Sequence, residues 1–175
     1  MTGTSEITAF WLCPAEPERR ILSQLIGKLA LRFDAPVFEP HLTIGVGPVM
    51  TKMEAAEILH ALESTPLLLE MKGVEFAEEF TKTLFLKFSH SQKASELSAE
   101  IMSRARSAVG YDFDPHLSLI YHDMSRSEKE ALATTIELPF RRVTFDSIQA
   151  ISCRAPITKR VEVEGWRTLG ERRLA

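Results

Sequence analysis

Two short segments of this chain carry the same reactive residue types in the same order. They read Pro40-His41-Leu42-Thr43-Ile44 and Pro115-His116-Leu117-Ser118-Leu119. In an extended strand, residues two apart project from one face. His41 and Thr43 therefore share a face, with Leu42 and Ile44 behind them; His116 and Ser118 share another, backed by Leu117 and Leu119. An imidazole titrates near neutrality, so it can give or take a proton at working pH. A hydroxyl is a neutral hydrogen-bond donor. Two such pairs meeting in one cleft would suit a five-membered cyclic phosphodiester. One histidine would deprotonate the attacking water and the other would protonate the leaving ribose oxygen in line. The hydroxyls would hold the non-bridging oxygens as charge builds on them. Ring strain makes such a substrate reactive, so this chemistry asks for no metal and no cofactor.

The elements that must position these residues also occur twice. Ile7–Leu12 reads as a short apolar strand. From Glu18 to Phe33 apolar residues recur at helical spacing, and Asp34–Pro36 breaks the run. Val37–Val46 is a strand bearing His41. Thr51 and Glu54 form a capping box for a second helix, and Leu67–Glu78 is extended again. The second pass begins with a strand at Thr83–Phe88. A helix at Ser91–Val109 follows, with Gly110 as its left-handed C-terminal residue. Then come a strand at Asp114–Tyr121 bearing His116, a helix capped by Ser125 and Glu128, and a strand at Pro139–Cys153. Ile7 and His41 are 34 residues apart, Thr83 and His116 33. Matching order and spacing point to an internal repeat, roughly 7–78 and 83–153. The expected fold is α+β and bilobal. Two pseudo-twofold-related lobes of mostly antiparallel sheet would carry helices on their outer faces, with a cleft between them. Val161–Leu169 reads as a final strand and Glu171–Arg173 as a frayed tail.

Composition narrows the function classes. The chain has 175 residues, 45% hydrophobic and 26% charged, with a net charge of −3. That suits one globular domain and argues against a broad basic face for duplex nucleic acid. No apolar run approaches the roughly 20 residues of a membrane span. Met1–Ile7 lacks the basic and apolar regions of a secretion signal. Cys13 and Cys153 form neither a disulfide framework nor a zinc spacing, and read as buried thiols of a cytoplasmic protein. A monomer is expected.

The doubled motif, HLTI at His41 and HLSL at His116, resembles the signature of the two-histidine (2H) phosphoesterases. Within that superfamily the chain is most similar to the cyclic phosphodiesterase branch. FWLCP at Phe10–Pro14, FEPHLTI, DPHLSLIY with the following SRSEKE, and the late AISC strand resemble that branch in order. The resemblance implies metal-independent hydrolysis of nucleoside 2′,3′-cyclic phosphates and ADP-ribose 1″,2″-cyclic phosphate. It places His41 and His116 in catalysis. In a near-symmetric site we take His116 as base and His41 as acid, roles that the opposite ring opening would exchange. Thr43 and Ser118 fall on phosphate-binding positions. Tyr121 matches a tyrosine beside the phosphate, and Trp11 an aromatic at the cleft mouth where a base could stack. Strict alternation would turn Tyr121 away from the His116 face, unless the strand twists, bulges or ends after Leu119; His122 is the competing candidate. Trp11 has a plain core role as its alternative.

Other readings compete. With the same residues, a sibling RNA 2′,5′-ligase or RNA-end phosphodiesterase would act on longer RNA ends. A non-catalytic module would bind cyclic phosphates or RNA ends without turnover. Asp112 and Asp114 beside His116 could suggest a metal site, but the first half has no matching acids. Arg141, Arg142, Lys159 and Arg160 read as solvated faces, and His60 and His90 as exposed. Gly45-Val46-Gly47 lacks the spacing of a nucleotide fingerprint.

Overall fold

A computed structural model describes residues 5–108 and 110–175. In chain order the elements are β1 (Ser5–Pro14), α1 (Glu18–Phe33), β2 (Leu42–Gly47), α2 (Lys52–Ala61), β3 (Leu67–Glu75), a 3-10 turn (Phe80–Lys82), β4 (Leu84–Phe88), α3 (Gln92–Arg104), β5 (His116–Ile120), α4 (Arg126–Thr135), β6 (Arg142–Ala155), α5 (Arg160–Glu164) and β7 (Arg167–Arg173). The sheet runs β2-β1-β6-β3-β4-β5, with β7 also on β6. Every pairing is antiparallel. The fold is α+β.

The order has a symmetry that the sequence foreshadows. β1 lies between β2 and β6, while β4 lies between β5 and β3. Each trio thus takes two strands from one half of the chain and its third strand from the other. The long strands make this exchange possible. β6 pairs β3 through Arg142–Phe145 and then follows β1 through to Ala155. β3 pairs β6 through Leu67–Glu70 and passes to β4 from Met71 onward. The helices cross over too, since α1 packs on β5 and α3 on β2. Leu42, Ile44, Leu117 and Leu119, the backs of the two histidine strands, lie in one shared core with Phe10, Phe88 and Phe145.

Local chemistry explains the ends. Thr51 and Ser125 each accept a bond from the N3 backbone, and Glu54 and Glu128 return it, so α2 and α4 start where their capping boxes stand. Gly45 and Gly47 serve packing. A Cβ at Gly45 would lie 2.9 Å from Ile101 Cγ2 of α3, and one at Gly47 2.9 Å from Cβ of Ala105, the C-cap of α3, so the glycines let α3 settle on β2.

Several boundaries differ from the sequence expectation. α3 stops at Arg104, and Arg106 (φ 49°), not Gly110, is the left-handed residue. Val109, placed on that helix by periodicity, and residues 1–4, read as part of a leaderless start, lie outside the described residues. The segment read as a final strand is split. Arg160–Glu164 is the short helix α5, and the strand begins at Arg167. The C-terminal run is not frayed: Arg172 lies in β7 and donates to the Leu59 and His60 carbonyls at 2.7 and 2.8 Å, and to the Leu62 carbonyl. It thereby satisfies carbonyls at the end of α2, which a helix C-terminus leaves without partners. No helix among the described residues is long and apolar enough to cross a membrane.

Candidate active site

The two histidine strands are built alike, down to an irregularity. In the β1–β2 ladder, Phe10 faces Gly45 but Trp11 faces Thr43, so Ile44 is an extra, bulged residue. In the β4–β5 ladder, Leu84 faces Ile120 and Phe85 faces Ser118, so Leu119 is the bulged residue. Ile44 and Leu119 occupy the same motif position, three residues after each histidine. A bulge rephases the alternation of every later residue. It brings Val46 round to the face of His41 and Thr43, and Tyr121 round to the face of His116. Val46 and Tyr121 accordingly line the same cavity as His41, Thr43 and His116. His122 does not: its ring lies 6.2 Å from Phe33. On the first strand, Ser98 of α3 donates to the carbonyl of the bulged Ile44 at 2.6 Å.

Both imidazoles are oriented by one device. His41 Nδ1 lies 2.7 Å from the Glu39 carbonyl, and His116 Nδ1 lies 2.7 Å from the Asp114 carbonyl. Each carbonyl belongs to the residue before a proline, a position held in extended geometry. Nδ1 must carry the proton to donate to a carbonyl, which leaves Nε2 as the atom free for proton transfer.

The surroundings of the two rings then diverge. His41 is 5% exposed. Trp11 stacks on it with centroids 3.6 Å apart, and Trp166 and Phe38 meet it edge-on. Burial pushes its pKa down to about 4, against the upward pull of the Glu39 carbonyl, and nearby His116 lowers it further. His116 is also lowered mainly by burial, but the Asp114 carbonyl and carboxylate pull it up, while Lys82 and Lys87 push it down. The Asp114 carboxylate lies 4.0 Å from His116 Nδ1.

The hydroxyls diverge as well. Thr43 lines the cavity, and its hydroxyl has no partner among the described residues. Ser118 is buried and donates to the Thr81 carbonyl at 2.7 Å. Burial pushes the pKa of the Tyr121 phenol up to about 12, against a smaller downward pull from the Ser118 hydroxyl. The serine thus holds its neighbours, and Tyr121 is the group of that pair that reaches the cavity. The cavity measures about 210 Å³.

The family described as "Cyclic phosphodiesterase-like protein" matches residues 7–66 and 75–174. The chain belongs to that family. The cyclic phosphodiesterase-like family is a branch of the two-histidine phosphoesterases, and the chain is a phosphodiester hydrolase. A cyclic phosphodiesterase of Arabidopsis thaliana is 22% identical over 94% of this chain and 93% of its own length. A 2′,3′-cyclic-nucleotide 3′-phosphodiesterase of Kluyveromyces lactis is 28% identical over 66% of this chain and 64% of its own. The crystal structure of E. coli LigT in apo form shares the fold, with a TM-score of 0.65 at 16% identity, covering 98% of this chain and 99% of that one.

On the cyclic phosphodiesterase-like scaffold both Trp11 and Asp114 are engaged by protein groups. Trp11 lines the cavity but shows it little surface: it is 5% exposed, with one face against His41 and Trp166 edge-on at 4.8 Å. The metal alternative at Asp112 and Asp114 loses its donors. The Asp114 carboxylate takes Lys82 at 3.0 Å and Lys87 as well, and Asp112 is exposed. Among the described residues no cluster of three or more potential ligands occurs. Cys13 and Cys153 are free and buried. They sit opposite Ser147 and Ile7, at distant points of one ladder, too far apart for a disulfide.

Lys82, Tyr111 and Trp166 also line the cavity, and no motif in the sequence marks them. Lys82 lies between the two repeats, Tyr111 between α3 and β5, and Trp166 between α5 and β7. Tyr111 donates to the Thr43 carbonyl at 2.8 Å, tying the second half to the first histidine strand.

Proposed function

We propose that the chain hydrolyses nucleoside 2′,3′-cyclic phosphates, breaking the P–O3′ bond to leave a 2′-monoester, by metal-independent acid–base catalysis from His41 and His116. The observation that carries this reading is the paired Nδ1-to-carbonyl bond, which frees both Nε2 atoms toward one cavity. The names of the K. lactis and Saccharomyces cerevisiae relatives, both 2′,3′-cyclic-nucleotide 3′-phosphodiesterases, support the choice of bond.

The electrostatics favour the reverse of the histidine roles taken from the sequence. His41, buried without a carboxylate neighbour, stays neutral and suits the base. It takes the proton of water as the water oxygen attacks phosphorus. His116, less deeply buried than His41 and drawn up by its bond to the Asp114 carbonyl, accepts a proton more readily and suits the acid. It delivers that proton to O3′ as the P–O3′ bond breaks. Thr43 and Tyr121 donate to the non-bridging oxygens. The anionic phosphate raises both imidazole pKa values in the complex.

The test is turnover of adenosine 2′,3′-cyclic phosphate in EDTA, followed by phosphorus NMR. Conversion to 2′-AMP alone, undiminished by EDTA, is expected. Loss of turnover in EDTA, or 3′-AMP as the product, would overturn the metal-free or the P–O3′ element respectively. Binding without conversion would favour a non-catalytic module.

A further inference from the structure

We propose that Lys82 is a specificity-determining residue of the cleft, holding the substrate's phosphate by exchanging its bond to Asp114 for one to the anion. This rests on the cyclic-phosphate reading above and extends it to a residue outside the doubled motif. Lys82 lines the same cavity as His41, Thr43, His116 and Tyr121. Its ammonium is held 3.0 Å from Asp114 Oδ2, and the exposed Glu79 is more distant at 3.9 Å. Asp114 already has a second cation, Lys87, on its other oxygen. The Asp114 carboxylate therefore faces two ammonium groups, with the exposed Glu79 as the second acid beside Lys82. If Lys82 moves to an incoming anion, Asp114 keeps Lys87 and no buried charge is stranded.

The backbone under Lys82 is fixed, so the swing needs only the side chain. The Lys82 carbonyl accepts from Ala77 N at 2.8 Å, and its own N–H donates to the Glu79 carbonyl at 2.9 Å. Ser118 anchors the preceding carbonyl, that of Thr81. The serine of the second motif thus acts at one remove: its hydroxyl is committed to the turn, and the turn presents a cation where the first motif presents a free hydroxyl. The charged groups facing His116 are then Lys82 from the turn, Lys87 from β4, Asp114 from its own approach segment, and His41 across the cleft.

The experiment is calorimetric binding of 2′-AMP at pH 8, where both imidazoles of the free protein are neutral, beside turnover of adenosine 2′,3′-cyclic phosphate. Lys82→Met is expected to weaken 2′-AMP binding at least about tenfold, and Lys82→Arg to restore it to within about threefold. Lys93→Met, an exposed control with the same loss of charge, should leave it unchanged. Asp114→Asn frees Lys82 from its competitor and should tighten binding about threefold. A merely structural pair would give the opposite sign. Equal affinities for Lys82→Met and Lys93→Met, or weaker binding in Asp114→Asn, would overturn the role of Lys82 while wild-type turnover left the activity standing. Wild-type protein that neither turns over the cyclic phosphate nor binds 2′-AMP would overturn both.

Discussion

The two sides of the cleft share a backbone plan and differ in nearly everything attached to it. Each has a proline, an imidazole fixed through Nδ1, a hydroxyl two residues on, and a bulge one residue later. The opposing strand contributes an aromatic on each side: Trp11 is stacked on His41 at 3.6 Å, and Phe85 is edge-on to His116 at 5.4 Å. Beyond that plan, the His41 side is apolar and closed, whereas the His116 side carries Asp114, Lys82 and Lys87. Near-symmetric geometry places two imidazoles on one cavity, and asymmetric surroundings separate their proton affinities. Acid–base catalysis needs one imidazole neutral while the other is protonated, and unequal environments favour one such assignment over its reverse.

The widest break in this comparison should come from changing the leaving group. His41→Ala and His116→Ala are each expected to lower kcat on adenosine 2′,3′-cyclic phosphate by about 10²–10⁴-fold, the usual scale of a positioned acid or base. A nitrophenyl phosphodiester, whose leaving group departs without protonation, separates them. His116→Ala should keep most of its activity on that ester, and His41→Ala should not. Rescue of His41→Ala instead would restore the opposite assignment, and rescue of neither would mean that the imidazoles act as a pair in some other capacity.

The hydroxyls offer a second, smaller contrast. Thr43 has a free hydroxyl toward the cavity, so Thr43→Val should lose up to about 10²-fold in kcat/KM, the scale of one donor to a developing oxyanion, with little change in melting temperature. Ser118→Ala removes the donor to the Thr81 carbonyl. A buried acceptor left without its partner costs about 1–3 kcal/mol, which in a chain of this size lowers Tm by several degrees. Thermal melts beside steady-state kinetics check this. A destabilised Thr43→Val with an unaltered Ser118→Ala would invert the comparison.

Much of this was legible in the sequence, and the reason is periodicity. α1 spans Glu18–Phe33 as the apolar spacing predicts, and both capping boxes mark true helix starts. His41, Thr43 and His116 share a cavity because alternation brings them to one surface. Tyr121 shows where alternation runs out. A single inserted residue, Leu119, reverses its face, and no residue type announces a bulge formed by a leucine. Trp11 shows another limit, since its type fits a base platform and a core ring equally, and only packing against His41 and Trp166 decides. Lys82, Tyr111 and Trp166 stand in connecting segments with no repeat to mark them. The same holds for Arg172, whose partners are the carbonyls of a helix more than 100 residues earlier. Long-range polar partners leave no local pattern.

The finest test concerns the two aromatic neighbours. On the proposed mechanism, kcat/KM needs His41 neutral and His116 protonated in the free enzyme. Its pH profile should therefore be a bell, with an acid limb near the depressed His41 value of about 4 and an alkaline limb at His116, below its ordinary value of about 6.5. Trp11→Leu opens the His41 ring to water, relieves desolvation and moves the acid limb upward, whereas Phe85→Leu should move the alkaline limb far less because charged neighbours also set His116. Stability follows the same sign. His41 binds its proton more weakly folded than unfolded, so its contribution is present above about pH 6.5. That contribution declines as pH falls through the folded value of about 4. Trp11→Leu should shrink this acid-induced loss. A pH-rate profile and pH-dependent melts of wild type and both variants check the comparison. An acid limb left in place by Trp11→Leu would mean that the stacked indole is not what keeps His41 dry.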